Sequence, residues 1–185
     1  VSRVTASTGA IWGTWALPAG SEPRGIVFDG ENIWTANFGT NAVSKVFRNG
    51  GVYQTYALPP NSRPTGIAFD GNFIWTSNLG TDAVSKINVY NSSIVGTYAL
   101  PQNSAPNAIV FDQPGYSANT GNALDSTTYM WTANTNDTVS KINAGSGAVV
   151  ASYPVGDYAT AIPFDGTNVW VANLYSWTLT KIRAR

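Results

Sequence analysis

Residues 33–37 read IWTAN, and the chain returns to IWTSN at 74–78, MWTAN at 130–134 and VWVAN at 169–173. The copies extend outward: PRGIVFDGENIWTANFGTNAVSKV begins at Pro23 and PTGIAFDGNFIWTSNLGTDAVSKI at Pro64. PNAIVFDQ…YMWTANTNDTVSKI begins at Pro106 and ATAIPFDGTNVWVANLYSWTLTKI at Ala159. Trp34 and Trp75 are 41 residues apart and Trp131 and Trp170 are 39, while the middle interval of 56 carries an insertion between Asp112 and Trp131. A period near forty residues marks an array of one supersecondary unit, each burying the face of its neighbour.

Each unit contains four short strand signals. In the second copy these are GIAFDG, FIWTSN, AVSKINV and SIVGTYALP, the first closed by Asp70-Gly71. An Asp-Gly pair between apolar runs is a hairpin cue, because glycine takes positive φ and aspartate hydrogen-bonds its own turn. The first two strands of each copy are apolar at nearly every position, as suits strands covered on both faces. Four strands per forty residues predict an all-β β-propeller of four-stranded antiparallel blades. The expected blades are 23–60, 64–101, 106–155 and 159–185, within one domain spanning 1–185.

The ends bear on closure. VSRV at 1–4 matches VSKV at 43–46, and IWGTWALP at 11–18 matches a fourth strand, whereas LTKI at 179–182 is a third strand with none after it. Residues 10–18 are therefore expected to complete the last blade and close a ring of about four blades, removing two exposed edges. VSRV is then redundant with LTKI. A longer ring, or two chains sharing strands in an eight-bladed ring, are the alternatives. The start at Val1 suggests a processed product or a fragment.

Charged residues make up only 11% of the chain, against roughly 25% in an ordinary soluble domain, and ten basic residues balance ten acidic ones. No electrostatic case exists for nucleic acid or an anionic membrane. No long apolar run suggests membrane insertion. A surface of Asn, Ser, Thr and Gly suits an extracellular or periplasmic protein.

The pattern Pro-x-Gly-Ile-x-Phe-Asp-Gly, then Ile/Val-Trp-x-x-Asn, then Val-Ser-Lys-Ile resembles the repeats of the virginiamycin B lyase-like and YVTN/NHL-type propellers. The resemblance covers the whole chain and implies the propeller fold. It also implies, for the lyase, a divalent metal held by glutamates near the ring axis and a catalytic histidine. Here the position after Trp-x-x is Asn37, Asn78, Asn134 and Asn173, amides being weak ligands for a hard dication, and the chain has no histidine. The lyase chemistry does not carry over, and no catalytic residue, metal or cofactor is expected.

Those four asparagines are expected to end the second strand and bond local backbone; the functional alternative is a ring of amides around one mouth of the channel. Asp29, Asp70, Asp112 and Asp165 sit where a turn needs an aspartate. Lys45, Lys86, Lys141, Lys181 and Arg3 recur on the third strand, where cations would solubilise the rim and discourage edge pairing. More informative are breaks in the repeat. Arg24, Thr65, Asn107 and Thr160 open the innermost strands, Arg63 and Tyr158 lie in the preceding loops, and FGTNA becomes LYSWT in the last copy, bringing in Tyr175 and Trp177. All of these share one face, opposite the insertion at 113–129, which reads as a surface loop or subunit contact. Loops on a rigid scaffold concentrate function. The expected role is a non-catalytic binding or interaction module for a protein or carbohydrate partner. A lyase- or hydrolase-type enzyme, or part of a larger propeller without its own activity, are the alternatives, and homo-oligomerisation through strand sharing stays open.

Overall fold

The computed structural model describes residues 1–113 and 127–184. Its elements follow the repeat. A two-stranded sheet, β1 (Ser2–Val4) and β2 (Ile11–Thr14), precedes three four-stranded antiparallel sheets. These are β3 (Pro23–Phe28), β4 (Asn32–Asn37), β5 (Ala42–Phe47), β6 (Val52–Ala57); then β7 (Pro64–Phe69), β8 (Phe73–Asn78), β9 (Ala83–Asn88), β10 (Ile94–Ala99); then β11 (Pro106–Asp112), β12 (Tyr129–Asn134), β13 (Thr138–Asn143), β14 (Val149–Pro154). The last sheet has three strands, β15 (Ala159–Ala161), β16 (Asn168–Asn173) and β17 (Thr178–Arg183). The sheets pack as successive blades of a propeller-type fold, with the first strand of each against the first strand of the next.

Three apolar clusters lie between consecutive blades. Trp34 and Val43 of the first full blade pack with Ile67, Phe69, Ile74 and Ile87 of the second. Trp75 and Val84 meet Ile109, Met130 and Ile142, and Trp131 and Val139 meet Ile162, Val169 and Val171. The second strands β4, β8 and β12 are buried almost throughout. The third strands β5 and β9 are nearly as buried, whereas the first strand β3 is largely open. The expectation that the first two strands are covered holds in the interior blades, where β7 and β11 carry no exposed residue. The third strand is covered there as well, and β3 is open because no full blade packs on its other side.

The inner strands approach closely. A Cβ on Gly66 would lie 2.9 Å from the Ile109 nitrogen and 3.0 Å from the Ala108 Cα of the next blade. The outer strands are held by the repeated cation: Lys45 Nζ donates to the Val89 carbonyl at 3.2 Å, Lys86 Nζ to Ala144 at 2.7 Å and Lys141 Nζ to Ala184 at 2.8 Å. Lys86 is only 5% exposed. These lysines tie one blade to the next rather than solubilising a rim, and each ammonium also stands 5.0–5.1 Å from the ring centre of the tryptophan opposite it in the sheet.

Closure also differs from the expectation. Residues 10–18 do not complete the last blade: β2 pairs with β1, Ser2 facing Thr14 and Arg3 facing Gly13. The two strands are neighbours in sequence, so their pairing closes a short loop at low entropic cost. The hairpin occupies the place of an outer half blade before β3–β6. Trp15 lies against Gly50, as Tyr98 lies against Gly147 two blades later.

Candidate functional site

The register places the start of each first strand beside the end of each second strand: Pro23 faces Asn37, Pro64 faces Asn78, Pro106 faces Asn134 and Ala159 faces Asn173. The connecting loops and the turns after the asparagines therefore share one end of the blades. Backbone bonds join them, Gly39 N to Ser21 O and Gly80 N to Ser62 O at 3.0 Å, and Leu174 N to Tyr158 O at 3.0 Å.

The asparagines themselves are inside the sheets. Asn37, Asn78 and Asn134 have no exposed surface and Asn173 has almost none. In the first full blade Thr35 Oγ1 donates to Asn37 Oδ1 at 2.9 Å, Asn37 Nδ2 donates to Ser44 Oγ at 2.8 Å, and Ser44 Oγ lies 2.9 Å from Thr55 Oγ1. Thr76, Asn78, Ser85 and Thr97 repeat this relay across the second. Asn134 and Asn173 reach Ser140 and Thr180 at 2.9 Å. The relay links neighbouring strands through side chains as well as backbone, so these amides do not line a mouth. Thr65 is also inward, its hydroxyl 3.1 Å from the Pro106 carbonyl, and Asn107 Nδ2 donates to Thr160 O at 3.3 Å.

The aspartates serve their turns and something more. Asp29 Oδ1 accepts from Glu31 and Asn32, and its Oδ2 accepts the Trp34 indole N–H at 2.6 Å. Asp165 and Trp170 repeat this at 2.7 Å. Burial alone would raise the Asp29 carboxyl, but the bonds from Asn32, Trp34 and Glu31 and the charge of Lys45 outweigh it and hold it below the ordinary range. The exposed Asp165 is lowered further, first by the Trp170 indole and then by the backbone of Asn168 and Thr167. Desolvation lowers Lys86, partly offset by Asp70.

What remains free for recognition at this end is a set of departures from the repeat. The Arg24 guanidinium lies 3.5 Å from the Phe38 ring centre and that of Arg63 lies 4.8 Å from it, so two cations flank one ring. Beside them a cleft of about 490 Å³ is lined by Glu22, Phe38, Asn41, Asn61 and Arg63. Two blades further on, the rings of Tyr158 and Tyr175 stand 4.7 Å apart, and Trp177 is 92% exposed.

The loop residues are also fixed by a clasp. Arg63 N donates to Asn41 Oδ1 at 2.8 Å, Ala105 N to Asp82 Oδ1 at 2.7 Å and Tyr158 N to Asp137 Oδ1 at 2.7 Å. The residues on both sides of each clasp have positive φ, which an Asn or Asp tolerates best among non-glycine residues. Trp177 stands at the clasp position of the last blade, with φ of 55° and no acceptor to offer. Phe38 and the clasp were missed in the sequence. Their only signal is the Asx that recurs before three of the third strands. Residues 114–126 of the insertion lie outside the described residues.

No protein-family model and no curated protein matches the chain. Among solved structures it is similar over its whole length to virginiamycin B lyase from Staphylococcus aureus, with a TM-score of 0.78 at 19% identity, covering 59% of that chain. A streptogramin B lyase matches 98% of this chain, with a TM-score of 0.70, 20% identity and 61% of its own length covered. The computationally designed Ika4 protein matches 92% of this chain with a TM-score of 0.72 at 12% identity, 95% of its own chain being covered. The chain thus spans about three fifths of the lyases it matches. At these identities the likeness establishes the fold: this chain shares its propeller-type blade array with virginiamycin B lyase.

Proposed function

We propose that this chain is a non-catalytic binding module that presents the loop end of its blades to a carbohydrate or protein partner outside the cytoplasm. The observation that carries this is the Arg24–Phe38–Arg63 group beside the 490 Å³ cleft. Guanidinium groups held over a ring keep their outward N–H donors available for hydroxyl or carboxylate oxygens, while the aromatic face offers apolar area. The clasp from Asn41 fixes the Arg63 backbone, so little ordering is left to the moment of binding. Tyr175 and Trp177 extend an aromatic surface along the same end, of a kind that anchors sugars and proteins.

The absence of histidine from the chain removes the commonest general base, and the buried asparagines are committed to their sheets. A panel of neutral and acidic glycans tests the reading, with Arg24→Ala/Arg63→Ala as the comparison. Binding by the native chain that falls at least tenfold in the double variant is the expected result. Binding that ignores both arginines, or turnover of a streptogramin B by the native chain, would overturn it.

A further inference from the structure

The first two complete blades meet over a cleft of about 440 Å³ at their Asp-Gly end, opposite the Arg24–Phe38–Arg63 group. One departure from the repeat lies at its floor. The residue before Ile33-Trp34 is Asn32, where the next two copies have Phe73 and Tyr129. Those two rings sit by the repeated lysine: Lys86 Nζ is 4.0 Å from the Phe73 ring centre and Lys141 Nζ is 3.9 Å from that of Tyr129. Asn32 brings no ring. The register shows an accompanying exchange, since Asn32 faces Phe47 whereas Phe73 faces Asn88 and Tyr129 faces Asn143. Phe47 becomes a wall of the cleft, with Tyr56 of the same blade and Tyr90 of the next.

Asn32 carries a second observation. It is only 5% exposed and lines the cleft, yet among the described residues no hydrogen bond reaches its side-chain amide. The turn aspartate is already occupied, Asp29 Oδ1 by the backbone of Glu31 and Asn32 and Oδ2 by the Trp34 indole. In the last blade the equivalent Asn168 does turn back, its Nδ2 donating to Asp165 Oδ2 at 3.2 Å. Buried amides are almost always hydrogen-bonded, and this one offers a donor and an acceptor to the cleft. Glu31 lines the cleft together with Lys45, whose ammonium is fixed by the Val89 carbonyl at 3.2 Å. Their opposite charges offset each other, so the site favours a neutral occupant.

We propose that this cleft binds a small neutral aromatic molecule carrying a hydrogen-bonding group. Its ring takes the place that Phe73 and Tyr129 take in the next blades, and its polar group pairs with the Asn32 amide. A ring there is attracted by the Lys45 ammonium and packs against Phe47 and Tyr90 in offset or edge-on geometry. The volume suits a ligand of this size.

Benzamide is the probe, titrated into the full chain and followed in proton–nitrogen correlation spectra. The expected result is saturable shifts at Asn32, Lys45 and Tyr90, with a dissociation constant on the order of 1 mM, as suits so small a ligand. Cyclohexanecarboxamide, which keeps the amide and loses the ring, should bind about fivefold more weakly. Asn32→Ala leaves the space and removes the pairing group, and should weaken benzamide about fivefold. Asn32→Phe supplies the ring from the chain itself and should abolish binding with the circular dichroism spectrum retained. If that variant fails to fold, Tyr90→Ala, at a residue 80% exposed, is expected to weaken benzamide without disturbing the blades. No saturable shift up to about 20 mM benzamide, equal binding of the two carboxamides, or undiminished binding by Asn32→Ala overturns the proposal. Shifts that gather at Phe38 and Arg63 overturn it as well. The arginines that test the loop-end reading play no part in these measurements, so either reading can fail alone.

Discussion

The indole of Trp75 donates its N–H to Asp70 Oδ2 at 2.7 Å, while Oδ1 of the same carboxylate accepts from the backbone of Asn72 and Phe73 at 2.9 and 2.7 Å. One aspartate thus closes the hairpin and fixes the ring that fills the space between blades. Trp34, Trp131 and Trp170 are held the same way by Asp29, Asp112 and Asp165. The Phe-Asp-Gly and Ile-Trp-Thr-Ala-Asn motifs recur together because they are two halves of one hydrogen-bonded unit. Asp70→Ala removes the acceptor for three donors, one of them on a fully buried ring. It is expected to cost about 3 kcal/mol in urea unfolding, and Asp70→Asn, which keeps one acceptor oxygen, clearly less.

Acid should act through the same groups. Asp29 and Asp165 are lowered in the folded state relative to the unfolded chain, so the unfolded state binds protons first as pH falls. Their stabilising contribution is complete above the ordinary carboxylate range near pH 4 and is lost progressively as pH drops toward the lowered folded values. The urea midpoint is expected to be flat from pH 8 to 5 and to fall between pH 4 and 2. Asp165→Asn should flatten part of that fall. A midpoint unchanged at pH 2.5 would show that these bonds do not favour the ionised form.

Gly66 faces the next blade across its inner strand, with Ser77 Oγ 2.7 Å and backbone atoms 2.9–3.0 Å from a would-be Cβ. Gly66→Ala forces the inner strands apart and should cost about 1–3 kcal/mol. The thermal midpoint of the variant measures it.

Trp177 holds a left-handed backbone at 92% exposure, where the other blades have Asn or Asp. Trp177→Asn should leave the fold intact and raise stability by up to about 1 kcal/mol, since a short polar side chain tolerates that conformation better. If the ring is an anchor for a partner, Trp177→Ala weakens that partner by about 2 kcal/mol. Unfolding of either variant would show instead that Trp177 packs the end of the array.

Calorimetric titration with calcium or magnesium is expected to show no stoichiometric binding. The residues after each Trp-x-x are amides buried within the sheets, Oδ1 of Asn37 and Asn78 already accepts from Thr35 and Thr76, and neutral amides compete poorly for hard cations. One-to-one binding abolished by changing Asn78 and Asn134 would reverse this.

Much of this molecule is local, and the local part was legible. Strand order, the Asp-Gly turns and the meeting of the variable loops with the post-asparagine turns all follow from a forty-residue period and alternating turns, because each depends on residues a few positions apart. Even the Trp75–Asp70 bond was half visible, as two residues recurring five apart in three of the four copies. What asparagine does was not legible, because Asn78 serves equally well in a turn or in a sheet, and only the register with Ser85 and Thr97 decides. Nor was the role of Lys86, since its acceptor, the Ala144 carbonyl, is 58 residues away in the next blade.

By itself the sequence determined the unit: four strands, their turns, and the tryptophan that must be covered by a neighbour. The tertiary structure alone decided how units meet, burying the amides, turning the lysines into ties between blades and pairing β2 with β1 instead of β17. Ile11–Thr14 pair with Ser2–Val4, their near neighbours in sequence, because that closes a short loop at low entropic cost, a consideration written in no one repeat.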